Sequence, residues 1–147
     1  MPPLTVVFVD DAPEYREIVR LLLLKLPDVV TWVGEAADGE EGLAVALRER
    51  PDIVITDLVM PRVDGIRLTR RIRQELPQTR IILMSSHTED AYRLMASDSG
   101  ADAFVQKGVM YEALLPAIRD LSRRISGGRG PLPPSAGGSS ASTAALK

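Results

Sequence analysis

Five times between Leu4 and Ile125 the chain passes from a short apolar run to a longer stretch whose apolar residues recur at helical spacing. The runs are Leu4 to Val9, Val29 to Gly34, Ile53 to Asp57, Arg80 to Ser85 and Ala101 to Gln106. The helical stretches are Glu14 to about Leu26, Glu40 to about Arg50, Asp64 to about Leu76, Glu89 to about Ser97 and Met110 to about Ile125. Pro27, Pro51 and Pro77 end the first three, since proline lacks the amide donor a helix needs and restrains the residue before it. Gly100 closes the fourth. The spacing puts Ile18, Val19, Leu22 and Leu26 inward on the first helix, and Leu43, Ala44 and Leu47 on the second. It does the same for Ile66, Leu68 and Ile72, for Tyr92, Leu94 and Met95, and for Leu114, Leu115, Ile118, Leu121 and Ile125. Pro116 interrupts that last helix and predicts a kink.

Strands that alternate with helices predict an α/β fold with a parallel sheet covered on both faces. Right-handed crossovers leave few topologies, and the flavodoxin-like doubly wound (βα)5 sandwich, strand order 2-1-3-4-5, is the one expected. The 147 residues have room for one such domain, 1–126. From 127 to 147 the chain is Gly, Pro, Ser and Ala with almost no large apolar residue. Such a stretch buries too little surface to offset its ordering entropy and reads as a disordered tail or linker. The first ten residues read as a strand and not as a secretory signal, and no apolar run reaches the ~20 residues of a membrane span. There is no cysteine, so disulfides and thiolate metal sites are excluded and a cytoplasmic setting fits. A net charge of −2 gives no electrostatic case for direct contact with nucleic acid or membrane. Arg62, Arg67, Arg70, Arg71 and Arg73 cluster around one helix and read as a solvated face.

Ligand sites of open α/β sheets lie at the carboxyl ends of the strands. In the expected order, the first strand lies beside the third, which brings Asp10 and Asp11 to Asp57. Three crowded carboxylates raise one another's pKa unless a cation sits among them. All-oxygen ligation by few protein groups suits Mg²⁺. Turn and cap residues are the alternative, one that suits a lone aspartate better than three converging ones. The fourth strand ends at Ser85-Ser86 and the fifth at Lys107, on the same edge. A hydroxyl and an ammonium facing an acidic, metal-bearing pocket suit the oxygens of a tetrahedral anion, with a carboxylate as acceptor. Singly, Ser85 reads equally as a loop hydroxyl and Lys107 as a surface cation.

Val9-Asp10-Asp11, Asp57-Leu-Val-Met-Pro61, Asp64-Gly65, Ser85-Ser86 and Gly100-Ala-Asp-Ala-Phe104-Val-Gln-Lys107 together resemble the receiver domains of bacterial two-component response regulators. The resemblance spans Leu4 to about Ile125. Gly34 to Gly39 and the run to Pro61 look most like the subfamily that joins a receiver to a helix-turn-helix DNA-binding domain. The resemblance implies that Asp57 takes a phosphoryl group from a sensor histidine kinase or phosphotransfer protein. It implies that Asp11 binds Mg²⁺ directly, Asp10 acts mainly through a metal-bound water, and the Val59 carbonyl completes the protein ligands. Lys107 is expected to pair with a phosphoryl oxygen and Ser85 to be drawn toward the phosphoryl. Phe104 is expected to turn inward and reshape the face of the fourth helix, fifth strand and fifth helix, where a downstream protein, an output domain or a second copy would dock. A plain core aromatic is the other reading of Phe104.

Two features depart from the family pattern at the site. Gly108 follows Lys107 where many receivers have proline, which leaves that loop freer. Val59 puts an apolar side chain two residues past the acceptor, where it bears on water access and phosphoryl lifetime. His87, the sole histidine, stands near the phosphoryl entrance, as a tuner of hydrolysis or as a loop residue without a role. The expected function is a switch and not a classified enzyme. A receiver cut from a DNA-binding transcription factor and a phosphate-independent interaction module are the alternatives. An aspartate-based phosphohydrolase is disfavoured, because no second aspartate stands two residues past Asp57.

Overall fold

A computed structural model describes residues 2–60, 62–87 and 89–126. The strands are β1 (Leu4–Val9), β2 (Val30–Ala36), β3 (Ile53–Asp57), β4 (Arg80–Ser85) and β5 (Ala103–Gln106). The helices are α1 (Pro13–Leu23), α2 (Gly39–Glu49), α3 (Gly65–Glu75), α4 (Asp90–Asp98) and α5 (Met110–Ser126), with a 3₁₀ turn over Lys107–Val109. All neighbouring strands pair in parallel, in the order β2-β1-β3-β4-β5. The doubly wound fold expected from the alternation is the one present. The tail expected at 127–147 lies outside the described residues.

Alternation along each strand divides the core. Val6 and Phe8 of β1, Ile53 and Ile55 of β3, and Ile82 and Met84 of β4 face α1 and α5, meeting Val19, Leu22, Leu114, Ile118 and Leu121. Val7 and Val9, Val54 and Ile81 face the other way, against Val45 and Ala46 of α2 and Leu68 and Ile72 of α3. A smaller cluster of Leu58, Leu83, Ala96 and Phe104 lies under α4. β3 is buried along its whole length, as a central parallel strand must be. Each of its aliphatic side chains contributes about 1.5–3 kcal/mol by leaving water.

Two helix faces differ from those expected. On α2, Ala44 and Leu47 are exposed and Leu43 is half-buried; Gly42, Val45 and Ala46 face the sheet. The side chain of Val45 and the bare backbone of Gly42 set the face, and a Cβ on Gly42 would come within 2.9 Å of Val9. On α4, Leu94 is 66% and Met95 44% exposed, and Ala96 is the buried residue. This short helix is held by one small buried side chain and by half-buried Tyr92 instead of a full stripe. Boundaries move by a few residues: α1 stops at Leu23, β2 runs on to Ala36, and β5 begins at Ala103. The helix α5 runs through Pro116, whose side chain is exposed.

Candidate functional site

The carboxyl ends of β1 and β3 sit side by side because Val9 pairs with Thr56. Asp10 and Asp11 therefore meet Asp57, and one oxygen from each of the three lies within 4.8 Å of the others. Asp10 and Asp57 are buried and Asp11 is exposed. β4 and β5 bring the other side of the pocket: Asp57 pairs with Met84, and Ser85 with Gln106, so Ser85 and Lys107 come to the same edge. The Lys107 ammonium is 2.8 Å from Asp10 Oδ2 and 3.3 Å from Asp57 Oδ2.

Local sequence holds each group in place. The Ala12 N–H donates to Asp10 Oδ1 at 2.9 Å, and Pro13 opens α1 immediately afterwards. Asp64 caps α3 by accepting from the Arg67 N–H at 2.9 Å. Gly65 is required by space, since a Cβ there would stand 2.2 Å from the Asp57 carbonyl oxygen. The acceptor strand and α3 thus approach backbone to backbone, which explains the Asp64-Gly65 pair.

Burial is the main force on Asp57 and raises its pKa, Asp10 adds to the rise, and Lys107 and the Val59 N–H oppose it. Burial alone would lower the pKa of Lys107, but Asp10 and Asp57 outweigh it and hold the ammonium above its ordinary value. The lysine is thus a fixed positive charge. Asp10 Oδ2 is buried against that ammonium. Three carboxylates facing one ammonium leave excess negative charge in the pocket, which fits a hard divalent cation such as Mg²⁺.

The remaining expected residues are placed as follows. Ser85 is fully buried, and its Oγ accepts from the His87 N–H at 2.9 Å. Phe104 lies inward, 3% exposed, in the cluster with Leu58, Leu83 and Ala96. His87 stacks on Tyr92, with ring centroids 4.5 Å apart, and its Nδ1 is 3.7 Å from Glu89. Val59 is 45% exposed, while its N–H faces Asp57. Gly108 has no neighbour within 4 Å of where a Cβ would stand. Of the arginine cluster, Arg67, Arg70 and Arg71 are exposed as expected, but Arg73 is not a solvated residue. It donates to the Gly100 and Thr79 carbonyls and pairs with buried Asp102, tying α3 to the start of β5.

Two residues beside the pocket were not singled out in the sequence. Tyr15 lies under the lysine, its ring centroid 3.9 Å from Lys107 Nζ. Arg16 Nη1 donates to the Asp10 carbonyl at 2.6 Å and its Nε lies 3.6 Å from Glu35. Their only signal is position, in the first helical turn after the acidic pair.

Fold and site define a doubly wound α/β domain with an acidic pocket and one internal cation at the carboxyl edge of its sheet. Residues 6–119 match the response regulator receiver domain, and the chain belongs to that family. The response regulator protein VraR of Staphylococcus aureus is 34% identical over 121 residues, which cover 80% of this chain and 56% of VraR. The chain spans about half the length of the curated relatives it matches. Among solved structures, the NarL signal receiver domain of Mycobacterium tuberculosis is 35% identical, with a TM-score of 0.76, covering 84% of this chain and 98% of that one. A LuxR-family two-component response regulator from Aurantimonas sp. SI85-9A1 is 34% identical, with a TM-score of 0.77, covering 83% and 86%. These neighbours agree with the subfamily that the sequence resembles. Among the described residues no helix is long and apolar enough to cross a membrane.

Proposed function

We propose that this chain is a cytoplasmic phosphoacceptor switch, taking a phosphoryl group onto Asp57 from a sensor histidine kinase or phosphotransfer protein. The observation that carries the proposal is the meeting of Asp57 with two further carboxylates and a buried lysine at one strand edge. An Asp57 carboxylate oxygen attacks phosphorus, the donor's P–N bond breaks, and its electron pair returns to the imidazole, leaving an acyl phosphate. Asp10, Asp11, Asp57 and the Val59 carbonyl would hold Mg²⁺, which when bound neutralises charge on the acceptor and the transferring group. Lys107, already beside Asp57, pairs with a phosphoryl oxygen in the product.

The Ser85 hydroxyl, whose oxygen accepts from the His87 N–H and so keeps its own proton free to donate, is drawn toward another phosphoryl oxygen. Movement there would be transmitted to Phe104 on the adjoining strand and so to the face of α4, β5 and α5, for a protein target or a second copy. Moving such an equilibrium from 1:99 to 99:1 takes about 5.5 kcal/mol of differential interaction, within reach of several charge-assisted hydrogen bonds. His87 and the Val59 side chain, each within two residues of Ser85 or Asp57, would border the entrance and tune hydrolysis. The chain then acts by changing state and not by turning over a substrate.

Beryllofluoride, a mimic of the phosphoryl group, tests this reading. Fluorine NMR should show bound resonances that require Mg²⁺ and vanish in Asp57→Ala. No bound resonances in wild type with Mg²⁺ would point instead to a phosphate-independent module, and binding that needs no metal or survives the substitution would contradict Asp57 as the acceptor.

A second reading extends the first: the receiver belongs to a DNA-binding transcription factor whose output domain lies in another part of the protein. It is supported by the LuxR-family neighbour and by the share of VraR that the chain spans. DNA contact would then fall to that other part. Sequencing the gene past the codon for Lys147 tests it; a helix-turn-helix coding region is expected, and a stop codon there would contradict it.

A further inference from the structure

Lys107 opens the 3₁₀ turn Lys107–Val109, and the residue after it gives that turn little to hold it. A Cβ at Gly108 would meet nothing within 4 Å, Gly108 and Val109 are both exposed, and glycine leaves the backbone its widest freedom. Yet the ammonium at the end of this side chain must stay in place while the charges beside it change. Asp57 loses its carboxylate when it becomes an acyl phosphate, so the 3.3 Å contact that now helps fix the lysine is the one the reaction alters.

The remaining wall of the lysine site is aromatic. Tyr15 stands in the first turn of α1, which Pro13 starts and in which the Tyr15 N–H donates to the Ala12 carbonyl at 3.1 Å. Its half-buried ring packs against the core beneath α1 and α5 and turns its face to the ammonium, 3.9 Å from the centroid. A desolvated cation over an aromatic face is held by the ring quadrupole, and that attraction does not depend on the state of Asp57. The next residue anchors the same turn: Arg16 donates to the Asp10 carbonyl at 2.6 Å, so α1 is fixed to the strand end that carries the metal carboxylates.

We propose that Tyr15 is a positioning residue for Lys107, holding the ammonium over the acceptor by a cation–π contact that stands in for rigidity missing from the loop at Gly108. The inference rests on Asp57 as phosphoacceptor for its consequence, though the contact itself exists without phosphorylation. The requirement is for an aromatic face and not for the hydroxyl, so Tyr15→Phe retains it and Tyr15→Leu, similar in apolar bulk, removes it.

The test uses two readouts on the whole chain, with thermal melting to confirm that each variant folds. The first is the proton NMR shift of the Lys107 ε-methylene, which needs no phosphoryl transfer. Ring current should displace it upfield in wild type and in Tyr15→Phe, and Tyr15→Leu should return it to the range of the exposed Lys25. The second is the rate of phosphorylation by acetyl phosphate with Mg²⁺. Tyr15→Leu is expected to slow it by about three- to tenfold, and Tyr15→Phe to match wild type within about twofold, the size expected of one cation–π contact. An unchanged methylene shift in folded Tyr15→Leu, or a loss of rate shared equally by the Phe and Leu variants, would overturn the proposal. If wild type takes no phosphate at all, the acceptor reading fails while the methylene shift still decides the contact.

Discussion

Asp57 is buried against Asp10, and both influences raise its pKa above 3.8 while Lys107 and the Val59 N–H pull the other way. The sign for stability follows directly. An acid whose folded pKa lies above its unfolded value binds protons more tightly when folded, so stability falls as pH rises from the unfolded pKa through the folded one. In metal-free protein, the difference in melting temperature between Asp57→Asn and wild type should therefore grow as pH rises from about 4 toward neutrality. Mg²⁺ should reverse it, raising the melting temperature of wild type more than that of the variant, because a ligand that binds only the folded state stabilises it by mass action. Melting curves over that pH range, with and without the metal, check both halves; a pH-independent difference would contradict the burial argument. Gly65 offers a steric test at the same site. A methyl group 2.2 Å from the Asp57 carbonyl must push strand and helix apart, so Gly65→Ala should cost about 1–3 kcal/mol in urea unfolding.

At the scale of elements, the ends of the helices carry the clearest expectations. Arg50 caps α2 in the left-handed region, with φ of 48°. A side chain pays there what glycine does not, so Arg50→Gly should stabilise the protein by about 1 kcal/mol in thermal or urea unfolding. No gain would mean that the arginine makes a compensating contact. Between α3 and β5, the pairing of Arg73 with Asp102 joins two elements that no sequence pattern links. Asp102 also accepts from the Ile81 N–H at 2.7 Å, and burial raises its pKa against the pull of Arg73. Asp102→Ala takes that acceptor from the buried Ile81 N–H and leaves Arg73 with the Gly100 and Thr79 carbonyls alone, at an expected cost of about 1–3 kcal/mol. Since Arg73 is partly exposed and can recover water, the loss should stay within that range; a larger one would mark a wider collapse of the β5 edge.

For the molecule as a whole, the repeated strand–helix pattern was enough to read the sheet, its order and the edge at which the pocket lies. Asp10, Asp11, Asp57 and Lys107 could be found because each ends a strand, and strand ends are visible as the close of an apolar run. Ala44, Leu47, Leu94 and Met95 could not be placed correctly, because a Cβ-free or alanine face packs closely without adding to an apolar stripe. Tyr15 and the Arg73–Asp102 pair were hidden for another reason: their partners are distant in the chain and their residue types are ordinary on helices. The parts of the site that depend on topology were thus legible, and the side-chain contacts that brace it were not. The central claim, that this architecture makes Asp57 a phosphoacceptor, is tested most directly by intact mass after incubation with acetyl phosphate. Wild type with Mg²⁺ should gain the mass of one phosphoryl group, and it should gain none when the metal is chelated or when Asp57 is replaced by alanine. A gain of the same size in Asp57→Ala, or none in wild type with the metal present, would contradict it.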